Sequence, residues 1–88
     1  MSYLEKVYKI KGVLIRNRMP VAMAYDVATD IYDAATHKKM GCHISAAIEG
    51  LADKDAKEGS WQLCLYKAWE NIRQSKIDLQ ILEGLHVL

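Results

Sequence analysis

The chain has no phenylalanine, one proline (Pro20), five glycines and two cysteines in 88 residues. So little proline and glycine excludes a collagen-like repeat or a low-complexity linker. With 51% hydrophobic against 26% charged residues, the composition is that of a folding chain and not of a disordered tail. Cys42 and Cys64 form no C-x-x-C pair and are too few for the disulfide frameworks of small secreted domains, so reduced thiols are expected. No run approaches the roughly 20 apolar residues that span a bilayer. The opening Met-Ser-Tyr-Leu-Glu-Lys lacks the basic end and apolar stretch of a signal peptide. A cytoplasmic protein without membrane contact is therefore expected. The length accommodates a single small helical domain, 1–88, and no second core or internal repeat.

Net charge is also nearly absent: 12 Lys and Arg against 11 Asp and Glu leave +1, too little for the whole molecule to be drawn to nucleic acid. The distribution is less even than the sum. Residues 1–20 hold Lys6, Lys9, Lys11, Arg16 and Arg18 against Glu5 alone, residues 21–36 hold Asp26, Asp30 and Asp33 with no cation, and Lys38 and Lys39 follow His37.

What is present is helical periodicity. Ser2-Tyr3-Leu4-Glu5 has the form of a capping box, and Leu4, Val7, Tyr8, Leu14 and Ile15 fall near one face of the helix it would start. The run 7–15 is also rich in strand-forming residues, so the alternative is an α+β fold with an extended N-terminal segment. Asn17-Arg18-Met19 breaks the pattern, and Pro20 suits the first position of a second helix over 21–35. That helix has an apolar stripe of Val21, Ala24, Tyr25, Ala28, Ile31, Tyr32 and Ala35. Thr36 is a candidate cap for a third helix through Met40, Ile44, Ala47, Ile48 and Leu51, with Gly41 as a later start. Residues 52–59 have no large apolar side chain and read as a solvated connection. Ser60 caps a fourth helix whose Trp61, Cys64, Leu65, Ala68, Trp69 and Ile72 make a regular core stripe, and from the capping-box-like Ser75 either a short fifth helix or a continuation of the fourth runs through Leu79, Ile81, Leu82 and Leu85. The fold class is all-α, a small bundle of four to five short helices.

The residues able to carry chemistry are few. His37, Cys42, His43 and Cys64 are the zinc-type ligands, but their spacing matches no known pattern, and Cys42 beside His43 points about 100° away from it on a helix. No phosphate loop, nucleophile elbow or His-Glu-x-x-His occurs. Neither a cofactor nor a metal nor an enzymatic activity is expected. Asp26, Asp30 and Asp33 read as a solvated face, since helical metal sites need carboxylates converging from more than one element.

Apolar residues exceed what one small core needs. Tyr3, Met19, Met23, Tyr25, Tyr32 and the greasy C-terminal segment point to an interface, and the interface expected from the sequence is Tyr25, Tyr32, Ile81, Leu82, Leu85, Val87 and Leu88. Folding at this length buries only about 60–65% of the unfolded chain's surface, so a partner would add useful burial. The function expected is a non-enzymatic protein–protein interaction module, acting as a small adaptor, inhibitor or regulatory subunit and self-associating as a homodimer or other homo-oligomer. On that reading Leu82→Asp or Leu85→Asp would leave a folded chain that no longer binds. The alternative is a small helical nucleic-acid-binding regulator using Lys6, Lys9, Arg16, Arg18, Lys38 and Lys39, with Tyr3 and Tyr8 available to stack on bases.

Overall fold

A computed structural model describes residues 2–37 and 43–85. They form α1 (Tyr3–Arg16), α2 (Val21–His37), α3 (Ile44–Leu51), α4 (Trp61–Gln74) and α5 (Lys76–Glu83), with no strand among the described residues. The protein is thus a small all-α bundle, and the extended alternative for residues 7–15 is not realised. Strand propensity in that run is overridden because Val7, Ile10, Val13 and Leu14 recur with helical period and all four are fully buried. No helix among the described residues is long and apolar enough to cross a membrane.

Local signals set the helix starts. The Ser2, Ser60 and Ser75 hydroxyls each accept a 3.3 Å hydrogen bond from the amide three residues on, those of Glu5, Leu63 and Asp78. Each satisfies one otherwise unpaired donor of a first turn. Thr36 does not cap α3. It lies inside α2, where its hydroxyl bonds back to the Asp33 carbonyl at 2.9 Å, and α3 begins at Ile44 after His43. Met40, Gly41 and Cys42 lie outside the described residues.

The α1–α2 connection is a Schellman turn. The Met19 amide donates to the Leu14 carbonyl at 2.9 Å and the Arg18 amide to the Ile15 carbonyl at 3.1 Å, with Arg18 in the left-handed region at φ 74°. Met19, expected as surface surplus, is buried at the position where this motif seats an apolar residue on the helix end. Pro20 sits one residue before α2, its carbonyl accepting from the Met23 amide.

All five helices contribute to one core, including Ile31 from α2, Ile48 from α3, Leu65 and Ile72 from α4, and Leu82 from α5. The buried face of α1 is rotated from the one expected, since Ile10 and Val13 are buried while Leu4 and Tyr8 are exposed. In α2 the expected Ala24, Ala28, Ile31, Tyr32 and Ala35 are buried and Val27 joins them, while Val21 is 65% exposed and Tyr25 is exposed. The two helices run antiparallel, as Tyr3 meets Tyr32 at one end (ring centroids 5.2 Å apart, edge-on) and Tyr8 meets Tyr25 further along (5.9 Å).

Candidate interaction surface

The C-terminal segment does not form the interface expected of it. Leu82 is fully buried, Leu85 is 8% exposed and Tyr32 is 6% exposed, so all three belong to the core. The physical reason is that α5, only eight residues long, packs against α1, α3 and α4 and uses its apolar side to do so. Val87 and Leu88, and the cations Lys38 and Lys39, lie outside the described residues. Of the interface residues expected from the sequence, Tyr25 is exposed and Ile81 half-buried.

The structure instead joins Ile81 to part of the basic set. Ile81 on α5 and Tyr8, Lys9, Gly12 and Arg16 on α1 line a groove of about 240 Å³. Tyr8, Gly12 and Arg16 are spaced i, i+4, i+8 and so follow one stripe of α1, with Leu4 preceding them on the same stripe. Ile77, one turn before Ile81 on α5, is 72% exposed. α5 runs antiparallel to α1, because its first turn meets Arg16 at the end of α1 while Ile81 lies beside Tyr8 and Lys9.

Arg16 is fixed in this groove by Asp78. Its Nε and Nη2 donate to Asp78 Oδ1 at 3.3 and 2.8 Å, and Asn17 Nδ2 donates to Asp78 Oδ2 at 2.9 Å. These two partners, Arg16 first, hold the Asp78 carboxyl below its ordinary pKa, against the opposing effect of burial. Asp78 also lies in the first turn of α5, where the helix dipole favours negative charge. Arg16 Nη1 is left on the side of Gly12, 3.5 Å from where a Cβ on that glycine would stand.

The other cations are spread around α1. Lys6 Nζ lies 5.8 Å from the centre of the Tyr32 ring on the α2 side, and Lys11 Nζ lies 5.7 and 6.0 Å from the centres of Tyr8 and Tyr25. Each such contact at an exposed site is worth about 0.5–1 kcal/mol. Arg18 is exposed at the Schellman turn. Lys9 and Arg16 therefore share one groove, which Lys6 does not line.

The aspartate stripe is partly engaged. Asp33 accepts a 3.2 Å hydrogen bond from the Tyr3 hydroxyl, whose pKa is raised first by desolvation and then by that bond, while Asp26 and Asp30 are exposed. Among the described residues, no three His, Cys, Asp or Glu side chains converge as metal ligands would. A broader cleft of about 560 Å³ lies between α3, the 52–59 connection and α4, with Glu49, Asp53, Lys54, Glu70 and Arg73 on its walls. Its polar groups serve local structure. Asp53 accepts from the Asp55 amide at 2.9 Å and Glu70 pairs with Arg73 at 3.4 Å. Its mixed-charge, open walls lack the apolar lining typical of ligand pockets.

Sequence periodicity hides this groove because it places Tyr8 on the apolar face of the first helix and gives Ile77 no role. The available signal was Gly12, a glycine inside a helical pattern that no turn requires. No family model matches the chain, and no curated protein or solved structure compared with it matches either.

Proposed function

We propose that this chain is a non-enzymatic protein-binding module, acting as a small adaptor, inhibitor or regulatory subunit through the face that α1 and α5 share. One observation carries the reading: Tyr8, which lines the groove, is 53% exposed, and Leu4 and Ile77, one helical turn from the lining residues Tyr8 and Ile81, are 49% and 72% exposed, although none of the three is needed to complete the core. Singly exposed apolar residues are ordinary, whereas several on one face, rimmed by charge, mark interaction surfaces. The aromatic and cationic composition of this face, Tyr8 with Lys9 and Arg16, also suits an interface, where Tyr and Arg are enriched. The groove is smaller than the roughly 300–1,000 Å³ of small-molecule sites, which favours an inserted side chain over a whole ligand.

The test is selection of a random-peptide display library on the folded protein, with the Leu4→Asp/Tyr8→Asp double variant as the comparison. Both positions are exposed, so circular dichroism should find that variant folded. The wild type is expected to enrich peptides that the variant fails to retain. Enrichment of nothing, or equal retention by both proteins, would sink the proposal.

A further inference from the structure

The groove between α1 and α5 has a floor that the fold itself does not require. Gly12 lies well inside the 14-residue α1, where glycine is less favourable than alanine because it leaves more backbone freedom to be lost. Packing does not demand it. A Cβ there would meet only Arg16 Nη1, at the ordinary contact distance of 3.5 Å, and the backbone at Gly12 is helical. What the missing side chain does provide is depth, since it lets a group from outside approach the α1 backbone between Tyr8 and Arg16.

The residues lining the groove carry charge of one sign, although Arg16 is paired with Asp78 behind it. Lys9 and Arg16 line the groove with no acidic side chain among its lining residues, and Lys9 makes no ion pair among the described residues. Arg16 is held by Asp78 through Nε and Nη2, so its Nη1 edge is presented beside Gly12 without the entropy loss that orienting a free arginine would require. Tyr8 of α1 and Ile81 of α5 supply the apolar lining, and the exposed Ile77 lies one turn from Ile81 on α5.

We infer that this groove receives an acidic amphipathic helix of a partner protein, with one large apolar side chain seated over Gly12 and carboxylates reaching Lys9 and the Nη1 edge of Arg16. The inference rests on the protein-binding reading above. The described residues have no sheet edge to which an extended peptide could add as a strand, and two antiparallel helices with exposed apolar stripes form the groove that an amphipathic helix fills. The eight residues of α5 span about 12 Å, so the occupant contacts it over about two turns, presenting residues at i, i+3 or i+4, and i+7. A second copy of this chain is the less favoured occupant: on its acidic face, Asp26 and Asp30 of α2, the one large apolar neighbour at helical spacing is Met23, which already packs against its own core. A nucleic-acid strand could stack a base on Tyr8, but Lys9 and an Arg16 already paired with Asp78 offer it few phosphate contacts.

Two readouts on the full chain test it: the sequences enriched by the library, and binding of one enriched peptide measured by fluorescence anisotropy on Gly12→Leu and Lys9→Glu. Gly12→Leu fills the groove while removing an unfavourable helical glycine, so the variant is expected to fold. Enriched peptides should carry Asp or Glu flanking a large apolar residue at helical spacing. Gly12→Leu should weaken binding at least tenfold, and Lys9→Glu should weaken it and flatten its salt dependence. Neutral or basic peptides, or wild-type affinity in Gly12→Leu, would overturn the inference while leaving the module reading intact; an empty selection would remove both. Amide shifts of Lys9, Gly12 and Arg16 caused by an oligo-dT strand and not by the peptide would reassign the cations to phosphates. A concentration-dependent dimer abolished by Gly12→Leu would put a second copy in the groove, and either result would overturn the peptide as occupant.

Discussion

Asn17 and Asp78, 61 positions apart, meet at 2.9 Å between Nδ2 and Oδ2, and this contact fastens the end of α1 to the start of α5. Asn17 is the one polar residue among the described residues that is buried; its Nδ2 also donates to the Val13 carbonyl at 2.7 Å, and its backbone carbonyl accepts from Asn71 Nδ2 of α4 at 3.3 Å. Three helices are thereby held at one point, and Arg16 is positioned as a by-product.

Removing either side chain should be costly. Asn17→Ala leaves Asp78 Oδ2 without its buried donor and is expected to destabilise the fold by about 1–3 kcal/mol in urea unfolding. Asp78→Asn keeps the shape but loses the charge and is expected to lose its pH dependence as well. The Asp78 pKa is lowered in the folded state, so its contribution is fully present above the ordinary value of 3.8 and is lost as pH falls from there through the lowered value. Wild-type stability should fall with acidification across that window, and the Asp78→Asn curve should be flatter there. Parallel curves would show that Asp78 does not couple folding to pH.

Two apolar residues of α5 should behave oppositely. Leu82 is fully buried, so Leu82→Asp places an unpaired charge in the core and should unfold the chain, while Leu82→Ala should cost about 2–5 kcal/mol. Ile77, exposed on the same helix, should tolerate Asp within about 0.5 kcal/mol. Thermal melts followed by circular dichroism distinguish the two, and a stable Leu82→Asp would contradict the core described here.

Arg18 occupies a conformation that side chains with a Cβ resist. Arg18→Gly should relieve that strain and raise stability by about 1 kcal/mol, seen as a higher urea midpoint at unchanged slope. A loss of stability would mean that the Arg18 side chain makes a contribution larger than the strain.

Gly12→Ala should also stabilise, by about 0.5–1 kcal/mol, because the added methyl meets no close neighbour. Destabilisation measured in the same urea titration would show that packing against Arg16 requires the glycine, and would remove the argument that its depth serves a partner.

Where physics is local, the residues disclosed the outcome in advance. Serine followed three residues later by the amide it caps identified the starts of α1, α4 and α5, and the α4 stripe needed no knowledge of its neighbours, with Leu65, Ala68, Trp69 and Ile72 all buried. Thr36 had the same local form as those serines and failed, because its hydroxyl had the Asp33 carbonyl within reach and α2 continued past it.

Length, composition and helical period by themselves determined that this chain would be a small all-α bundle with helices close to their observed positions, because hydrogen bonding and periodic burial act over a few residues. Which side of α1 faces inward was decided by tertiary structure. It carries apolar residues around more than half its circumference, so Tyr8 or Ile10 could have been buried, and only the neighbouring helices select between them, as they select Val27 over Val21 at the edge of the α2 stripe. The same holds for α5: its apolar character was visible, but whether Leu82 meets the core or a partner depends on whether the bundle end is otherwise covered. The groove at Gly12 arises in the same way, from two helices distant in sequence that Asn17, Arg16 and Asp78 bring side by side.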